Sequence, residues 1–581
     1  MNKAILLLLF FLTSFFGYAQ TTSKRITFDD QWLFQKGDNK HWADAGHNDA
    51  DWKPVTTTKI LEDQGYGNFE GFGWYRKKVV LPDSITRALP ANGYLVVSYR
   101  QVDDCDELYF NGHFIGRTGG FPPNYISAYS EPREYRVPVK YVVSKGPNTI
   151  AVRVYDGGGG AGILSPDVVV RSATVFDNVG MKVSVPDKDK IFLAPQTQSV
   201  QVAFTNANNS PFTGTVRVKI TTDDFKPLQQ LKQTVTLAKG GAATKTFNYK
   251  PALPGFYRYT VYLEQGGRSG GSKTFNLGYE PEKIKAPLDA KQDFASFWKG
   301  TLAELRSIDP DYKMTADTQY ANADYEVFEV SLVSLNNERV KGYYCKPRRE
   351  GKFPVTVEYQ GYGSGPYPPN TKWDGFAHMV MSVRGQGHNK PGNKYGDWIV
   401  HGLENKENYY YRGAYMDVVR GIDFVCTRPE IDTTKIAAMG GSQGGAFAFV
   451  SAALDGRVSV CAPTIPFLSD YRNYFRIVNW PRSSFDTYRA EHPDVSWDHI
   501  YNLLSYFDIK NLAPRIKAPL FMGIGVQDEV CPPHINFAAF NNVKGPKRWI
   551  AYPDMGHGTG PDFEEKKRAF FREVWGIKES L

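Results

Sequence analysis

The chain has 581 residues, of which 41% are hydrophobic and 22% are charged. At about 100–200 residues per domain, this length predicts several domains, and the composition excludes the disordered and fibrous classes of protein. The 69 basic and 61 acidic residues give a net charge of only +8, with no long basic run, so we expect no nucleic-acid partner.

The N-terminus has the pattern of a secretory signal peptide over residues 1–19. Lys3 precedes an apolar run over residues 4–16, and Gly17 and Ala19 offer small side chains before a cleavage point. Because a membrane span requires roughly 20 apolar residues, the run predicts a cleaved signal peptide; a membrane anchor is the alternative interpretation. The mature protein is then periplasmic or secreted, with no membrane association.

The five cysteines are odd in number and widely scattered, at Cys105, Cys345, Cys426, Cys461 and Cys531. A disulfide framework is therefore not predicted, even in an oxidising compartment. The chain has no C-x-x-C motif, and its ten histidines form no H-x-x-x-H pair. Neither a metal site nor a cofactor is expected.

Residues 20–177 alternate between apolar and polar positions, as at 94–99 and 149–154, which is typical of short strands in a β-sandwich. Asn111-Gly112 suits the two positive φ angles of a tight turn and predicts a hairpin. Five sequence words resemble the sugar-binding jelly roll of family 2 glycoside hydrolases: Gly73-Trp74-Tyr75-Arg76-Lys77, Val79-Val80-Leu81-Pro82, Val102-Asp103-Asp104, Phe110-Asn111-Gly112 and Gly146-Pro147-Asn148-Thr149. The resemblance implies an N-terminal all-β jelly roll. Sugar binding and a packing or spacer role both stay open.

Residues 178–279 continue the alternation, as at 200–204, 216–220 and 257–262. Several strands in about 100 residues predict an immunoglobulin-like β-sandwich. The glycine-rich segment 266–271 lacks the strand-to-helix setting of a phosphate loop, so we interpret it as a hairpin loop. Pro281 and Pro287 then mark a linker into the last domain.

Residues 280–581 alternate short apolar runs with helical patterns, which predicts an α/β domain with a mostly parallel sheet. The motif Gly440-Gly441-Ser442-Gln443-Gly444 lies between a predicted strand at 435–439 and a helical run. This is the G-x-S-x-G nucleophile elbow of α/β-hydrolases, in which Gly440 and Gly444 permit the tight turn and Ser442 is the nucleophile.

A serine hydroxyl needs a base and an acid, and the chain order in this fold is Ser, acid, His. His557 follows a predicted strand at 549–551 and precedes a terminal helix that begins near Asp562. Asp528 follows a predicted strand at 520–525 and is our candidate for the acid. Glu529 is the competing acid, whereas Asp554 is too close to His557 in sequence.

The backbone N–H groups of Gln443 and Tyr362 are the predicted oxyanion hole. Tyr362 lies in the segment Gln360-Gly361-Tyr362, directly after a predicted buried strand at 353–359. An alternative role for the Tyr362 side chain is that of an aromatic lid over the pocket.

Residues 285–578 resemble carbohydrate esterase family 7, the acetyl xylan esterases and cephalosporin C deacetylases. The matching words are Arg384-Gly385-Gln386-Gly387, Tyr410-Tyr411-Arg412-Gly413, Gly440-Gly441-Ser442-Gln443-Gly444-Gly445, Pro466-Phe467-Leu468, Leu504-Ser505-Tyr506-Phe507-Asp508, Cys531-Pro532-Pro533 and Phe294-Ala295-Ser296-Phe297-Trp298. The resemblance implies the same triad of Ser442, Asp528 and His557 and the same oxyanion donors. The chain departs from the family pattern at Gln360, Ser382 and Gly558, where the family usually has His, Asp and Glu.

These observations predict a secreted serine esterase that deacetylates polysaccharides or oligosaccharides through an acyl-enzyme intermediate. One alternative keeps the fold and changes the substrate, to small esters in general or to peptides. Another is a carbohydrate-binding protein with an inert hydrolase domain. The sequence leaves open the glycan, the acetylated position, the acyl-chain range and the oligomeric state, since two added domains could prevent the hexameric ring that the resemblance implies.

Overall fold

The computed structural model describes residues 25–578, apart from 29–30, 88, 90–92, 130, 366–367 and 372–374. The predicted signal peptide, residues 1–19, lies outside the described residues. The fold is multidomain, with two compact units, Met1–Asn178 and Val179–Leu581. The predicted division into three domains stays a prediction, because the second unit holds both the predicted immunoglobulin-like region and the α/β region. None of the helices in the described part of the chain has the length and apolar character needed to cross a membrane.

In its described residues, the first unit consists of β-strands, one short α-helix and four single turns of 3-10 helix. Two antiparallel sheets, ordered β1-β12-β5-β9 and β3-β2-β4-β10-β7-β8, form a sandwich, and β11 pairs with β6. The alternation seen in the sequence places Leu95, Val97 and Val152 in the core. The elements are β1 Arg25–Phe28, β2 Trp32–Lys36, β3 Lys53–Val55, β4 Gly71–Val80, α1 Asp83–Thr86, β5 Tyr94–Tyr99, β6 Val102–Asp103, β7 Cys105–Phe110, β8 His113–Thr118, β9 Arg133–Pro138, β10 Pro147–Asp156, β11 Gly162–Ile163 and β12 Val168–Ser172.

The predicted hairpin at Asn111-Gly112 is confirmed. β7 and β8 pair in antiparallel register with Phe110 opposite His113, and both turn residues have positive φ angles, 49° for Asn111 and 82° for Gly112. Asn111 also ties the turn to β10, because its side chain accepts a hydrogen bond from the backbone N–H of Thr149 at 2.7 Å.

The second unit begins with a β-sandwich over residues 179–279, called the sandwich below. Its sheets are ordered β13-β15-β18 and β14-β20-β19-β16-β17. The predicted loop at 266–271 is shorter than expected: Gln265 pairs with Arg268, so the hairpin turn is 266–267 and residues 268–271 begin β20. Every second residue of β15 is buried, as the alternation predicts. The strands are β13 Val179–Ser184, β14 Ile191–Phe192, β15 Gln198–Asn206, β16 Phe212–Thr222, β17 Pro227–Leu237, β18 Ala242–Tyr249, β19 Gly255–Gln265 and β20 Arg268–Tyr279.

The rest of the second unit is a nine-stranded sheet, in the described residues, with helices packed against it. The strand order is β21-β22-β23-β25-β24-β26-β27-β28-β29, and the strands from β25 to β29 run parallel. The elements are α2 Phe294–Ser307, β21 Lys313–Ala316, β22 Tyr325–Val333, β23 Arg339–Pro347, β24 Phe353–Tyr359, β25 Ala377–Met381, α3 Tyr410–Cys426, β26 Ile431–Gly441, α4 Gln443–Leu454, β27 Val460–Thr464, α5 Tyr471–Ile477, α6 Arg482–Glu491, α7 Trp497–Leu504, α8 Ile509–Leu512, β28 Leu520–Gly525, α9 Pro533–Phe540, β29 Lys547–Tyr552 and α10 Phe563–Trp575.

The parallel strands bring the predicted site residues to one edge of this sheet. Tyr359, the last residue of β24, pairs with Gly440 near the end of β26. Gly525, at the end of β28, pairs with Tyr552 at the end of β29. The loops that follow these strands therefore start at a common level, where ligands bind in open α/β sheets.

Candidate active site

Ser442 lies at a sharp turn between β26 and α4, as the sequence predicts. Its backbone has φ 57° and ψ −118°, a conformation that non-glycine residues rarely adopt and that marks stored strain. The turn is held because the Ser442 N–H donates to Thr464 O at 3.0 Å and the Ser442 carbonyl accepts from Phe467 N at 3.0 Å. The hydroxyl is thereby placed at the N-terminus of α4, where developing negative charge is favoured.

The two elbow glycines are required by close backbone contacts. A Cβ atom at Gly444 would lie 1.9 Å from the carbonyl oxygen of Tyr359, and one at Gly440 would lie 2.5 Å from the same oxygen. No larger residue fits without moving β24 away from α4. The glycines thus let the elbow approach the strand that carries the predicted oxyanion loop.

Asp528 and His557 form a close pair. His557 Nδ1 lies 2.9 Å from Asp528 Oδ2 and 3.1 Å from Oδ1. Asp528 is 1% exposed, and its Oδ1 also accepts from the backbone N–H groups of Val530 and Cys531, both at 2.8 Å. A carboxylate at Nδ1 keeps a proton on that nitrogen, so Nε2 is the free proton acceptor.

The competing acids lie elsewhere. Glu529 is an exposed residue whose carboxylate is 3.3 Å from Arg258 Nη1, and Asp554 is exposed and 2.5 Å from Lys190 Nζ. Of the three carboxylates considered from the sequence, Asp528 is therefore the one that contacts the His557 ring in the described residues.

The hydroxyl of Ser442 is not hydrogen-bonded to His557 in the described structure. Its recorded partner is the Cys531 thiol, with 3.9 Å between Oγ and Sγ. Burial, and then the charge of Asp528, raise the pKa of Cys531 well above its usual value, so this thiol stays neutral and is a poor nucleophile. Hydrogen bonds between catalytic groups are often long before substrate binds. Cys531 is a neighbour of Ser442 that the sequence did not single out for a role.

Tyr362 lies on the loop after β24. Its amide forms no backbone hydrogen bond within the described residues, and the amide of Gln443, at the start of α4, has no acceptor inside the helix. The Tyr362 hydroxyl donates to Asp397 Oδ1 at 2.9 Å. Its ring meets Trp398 and Trp480 edge to face, with centroids 5.2 and 5.1 Å away. The side chain is thus part of an aromatic wall, while its backbone amide is available.

Gln386 connects this loop to the elbow and is a residue that sequence reasoning missed. Its Oε1 accepts from Gly363 N at 3.1 Å and from Gln443 Nε2 at 3.0 Å, and its Nε2 donates to the Tyr410 hydroxyl at 2.9 Å. The signal was present in the Arg384-Gly385-Gln386-Gly387 word, to which the sequence alone assigns no role. Gln386 therefore links the loop that carries Tyr362 to the side chain of Gln443.

Two of the three departures from the family pattern bond to each other. The Ser382 hydroxyl donates to Gln360 Oε1, and Gln360 Nε2 donates to Gly365 O at 2.9 Å. Both side chains are buried, so they stabilise the loop after β24. Gly558, the third departure, donates its N–H to Gly556 O at 2.8 Å within the His557 loop.

Asp397, the partner of Tyr362, also lines a cavity of about 710 Å³. Its lining includes Tyr395, Tyr410 and His401, but Ser442 does not contribute to it.

All five cysteines are free thiols, as the sequence predicts.

The family model of the acetyl xylan esterases (AXE1) matches residues 278–574. The acetyl esterase Axe7A of Xylanibacter ruminicola is 28% identical over 304 residues, which cover 49% of this chain and 67% of that protein.

Two solved structures extend the comparison. Acetyl xylan esterase 1 from Thermoanaerobacterium sp. is 30% identical, with a TM-score of 0.48, covering 51% of this chain and 98% of that one. Bacteroides uniformis β-glucuronidase 2 is 12% identical, with a TM-score of 0.34, covering 95% of this chain and 58% of that one.

Proposed function

Since this chain belongs to the acetyl xylan esterase family, we propose that it is a serine esterase that removes acetyl groups from acetylated polysaccharides or oligosaccharides. The observation that carries the proposal is the hydrogen bond between His557 and the buried Asp528, beside the strained Ser442 elbow. The acyl-enzyme mechanism, the residue roles and a periplasmic or secreted location, which rests on residues 1–19, are parts of this proposal.

The first half of the reaction forms an acyl-enzyme. Ser442 Oγ attacks the acetyl carbonyl carbon while His557 Nε2 takes the hydroxyl proton, and Asp528 stabilises the resulting imidazolium. The N–H groups of Tyr362 and Gln443 bind the negative oxygen of the tetrahedral intermediate. One such donor contributes about 3–4 kcal/mol to lowering the barrier. The intermediate then releases the sugar hydroxyl, whose oxygen takes the proton from His557.

The second half releases acetate. A water molecule loses a proton to His557 Nε2 and attacks the acetyl carbon, and the ester bond to Ser442 breaks as the serine oxygen takes the proton back. No metal and no cofactor enters this scheme, because the nucleophile, base and oxyanion donors are all groups of the chain.

The test is acetate release from acetylated xylan by the mature protein and by Ser442→Ala, with 4-nitrophenyl acetate as a second substrate. Ser296→Ala is the matched control, since it removes an exposed hydroxyl whose hydrogen bond, among the described residues, is to the Asp293 carbonyl. We expect release from both substrates by the wild type and by Ser296→Ala, and none from Ser442→Ala.

Other outcomes separate the parts of the proposal. Cleavage of 4-nitrophenyl acetate alone would keep the esterase and reject xylan as the substrate. Release that persists in Ser442→Ala would reject the nucleophile. Glycan binding without any acetate release would favour the inert carbohydrate-binding alternative.

A further inference from the structure

The sandwich contacts the two loops that carry Asp528 and His557. Asn276, on β20, lies beside Val526 and Gln527, the two residues before Asp528. Among the described strands, β14 pairs with β20 at Gly278 and Tyr279, so at Asn276 no described strand lies on that side of β20. The loop that carries Asp528 therefore contacts β20 at a point where no described strand pairs with the Asn276 backbone.

The side chain of Gln527 occupies this side of β20 in the manner of a neighbouring strand. Its Oε1 accepts from Asn276 N at 2.7 Å and its Nε2 donates to Asn276 O at 3.2 Å. The Asn276 side chain returns a bond to Val526 O at 3.3 Å. Asn276 is 8% exposed, and buried backbone groups left without partners are costly, so this pairing is strongly specified.

Gln527 also forms hydrogen bonds with the loop that carries His557. Its Nε2 donates to Pro553 O at 2.7 Å, and its backbone N–H donates to Met555 O at 2.9 Å. One residue next to Asp528 is thus bonded both to the sandwich and to the segment that leads into His557.

Two ion pairs flank this contact, Arg258 with Glu529 and Lys190 with Asp554. The acidic partners are 74% and 83% exposed, and exposed ion pairs contribute little to stability. We therefore expect the hydrogen bonds of Gln527, rather than the two ion pairs, to fix the positions of the two loops.

We propose that the sandwich positions the catalytic acid and base, with Gln527 as the positioning residue that links β20 to both loops. This inference rests on the proposed function. The physical reason is that Asp528 must hold the His557 ring in one orientation, and a misplacement of about 1 Å in a reacting group can cost about 100-fold in rate. Gln527 does not touch the reacting atoms; it acts through the backbone on either side of the Asp528–His557 pair.

The test is the variant Gln527→Met in the full-length mature protein. Methionine keeps the length of the side chain and removes its three hydrogen bonds. We expect kcat on 4-nitrophenyl acetate to fall, by up to about 100-fold, with KM little changed, because orientation of the pair affects the chemical step more than binding. Gln233→Met is the matched control, because in the described part of the chain the Gln233 side chain bonds to Thr246 O of the sandwich and to no residue of the α/β region.

A second variant guards against a folding defect. Asn276→Ala keeps the backbone N–H and C=O that bond to Gln527 and removes only the 3.3 Å contact with Val526 O, so kcat should fall by less than in Gln527→Met. Titration with a serine-reactive fluorophosphonate gives the fraction of competent sites in each sample, and kcat is calculated per competent site.

Two results would overturn the inference: a kcat per competent site in Gln527→Met equal to that of Gln233→Met, or a loss confined to the melting temperature or to KM. Ser442→Ala in the same assay distinguishes this failure from failure of the proposed function. If Ser442→Ala retains activity, the serine mechanism itself is rejected; if it is inactive while Gln527→Met is fully active, only the positioning role is rejected.

Discussion

The two carboxylate oxygens of Asp528 have different partners. Oδ1 accepts two backbone N–H groups and shapes the loop, whereas Oδ2 lies closest to His557 Nδ1. An asparagine at this position can keep the loop contacts, because its carbonyl oxygen still accepts from the N–H groups of Val530 and Cys531. Its amide nitrogen, however, would donate to Nδ1 and drive the ring proton to Nε2, where the serine proton must go.

We therefore expect Asp528→Asn to fold normally and to lose activity by about 10⁴-fold in kcat. Asp494→Asn, an exposed position, is the matched control for the chemical change. The measurements are kcat on 4-nitrophenyl acetate and the midpoint of urea unfolding. An active Asp528→Asn enzyme would assign the acid to another residue.

At the scale of elements, α9 joins the site to the sandwich through a titratable group. His534 Nδ1 lies 2.8 Å from Asp223 Oδ2 in the sandwich, and its Nε2 lies 3.8 Å from Asp470 Oδ2, which also pairs with Lys510 at 2.9 Å. Burial lowers the pKa of His534, but the charges of Asp223, Asp470 and Asp224 outweigh burial and raise it above 6.5.

A histidine whose folded pKa is raised stabilises the folded state most fully below pH 6.5, and that contribution is lost as the pH rises through the folded pKa. His534→Gln should therefore lower the melting temperature of the second unit at pH 6 and have a smaller effect at pH 9. His41→Gln, whose ion pair with Asp44 is exposed, is the control. An equal effect of His534→Gln at both pH values would contradict the role of its charge.

The elements of the site were predictable, and their contacts with the sandwich were not. The apolar runs at 353–359 and 520–525 coincide with β24 and β28, because short apolar runs between turn residues are typical of buried parallel strands. The elbow, Asp528 and His557 follow from motif and chain order. Gln527 bonds to Asn276 across 251 positions of sequence, and no local pattern encodes such a contact. The bonds of Gln386 to Gln443 depend in the same way on the packing of separate loops.

At the scale of the whole molecule, the two compact units predict two unfolding transitions.

The first unit contains a group of three carboxylates, Asp103, Asp104 and Asp156. One oxygen of each lies within 4.8 Å of one oxygen of the other two. Burial, and then the charge of Asp104, raise the pKa of Asp103 to about 8 and that of Asp156 to about 7. The folded first unit therefore retains protons that the unfolded chain releases near pH 4.

For an acid with a raised folded pKa, stability is fully present below the unfolded pKa of 3.8 and falls as the pH rises toward 8. Scanning calorimetry between pH 5 and 8 should show one transition that moves to lower temperature through this carboxylate group. Asp103→Asn removes one of the two carboxyls with a raised pKa and should reduce that dependence, with Asp156 accounting for the remainder. Asp167→Asn, at an exposed position of the same unit, should leave it unchanged. Because the pH dependence of His534 belongs to the second unit, His534→Gln should alter the other transition alone; a shift of both transitions by either variant would show that the two units unfold as one.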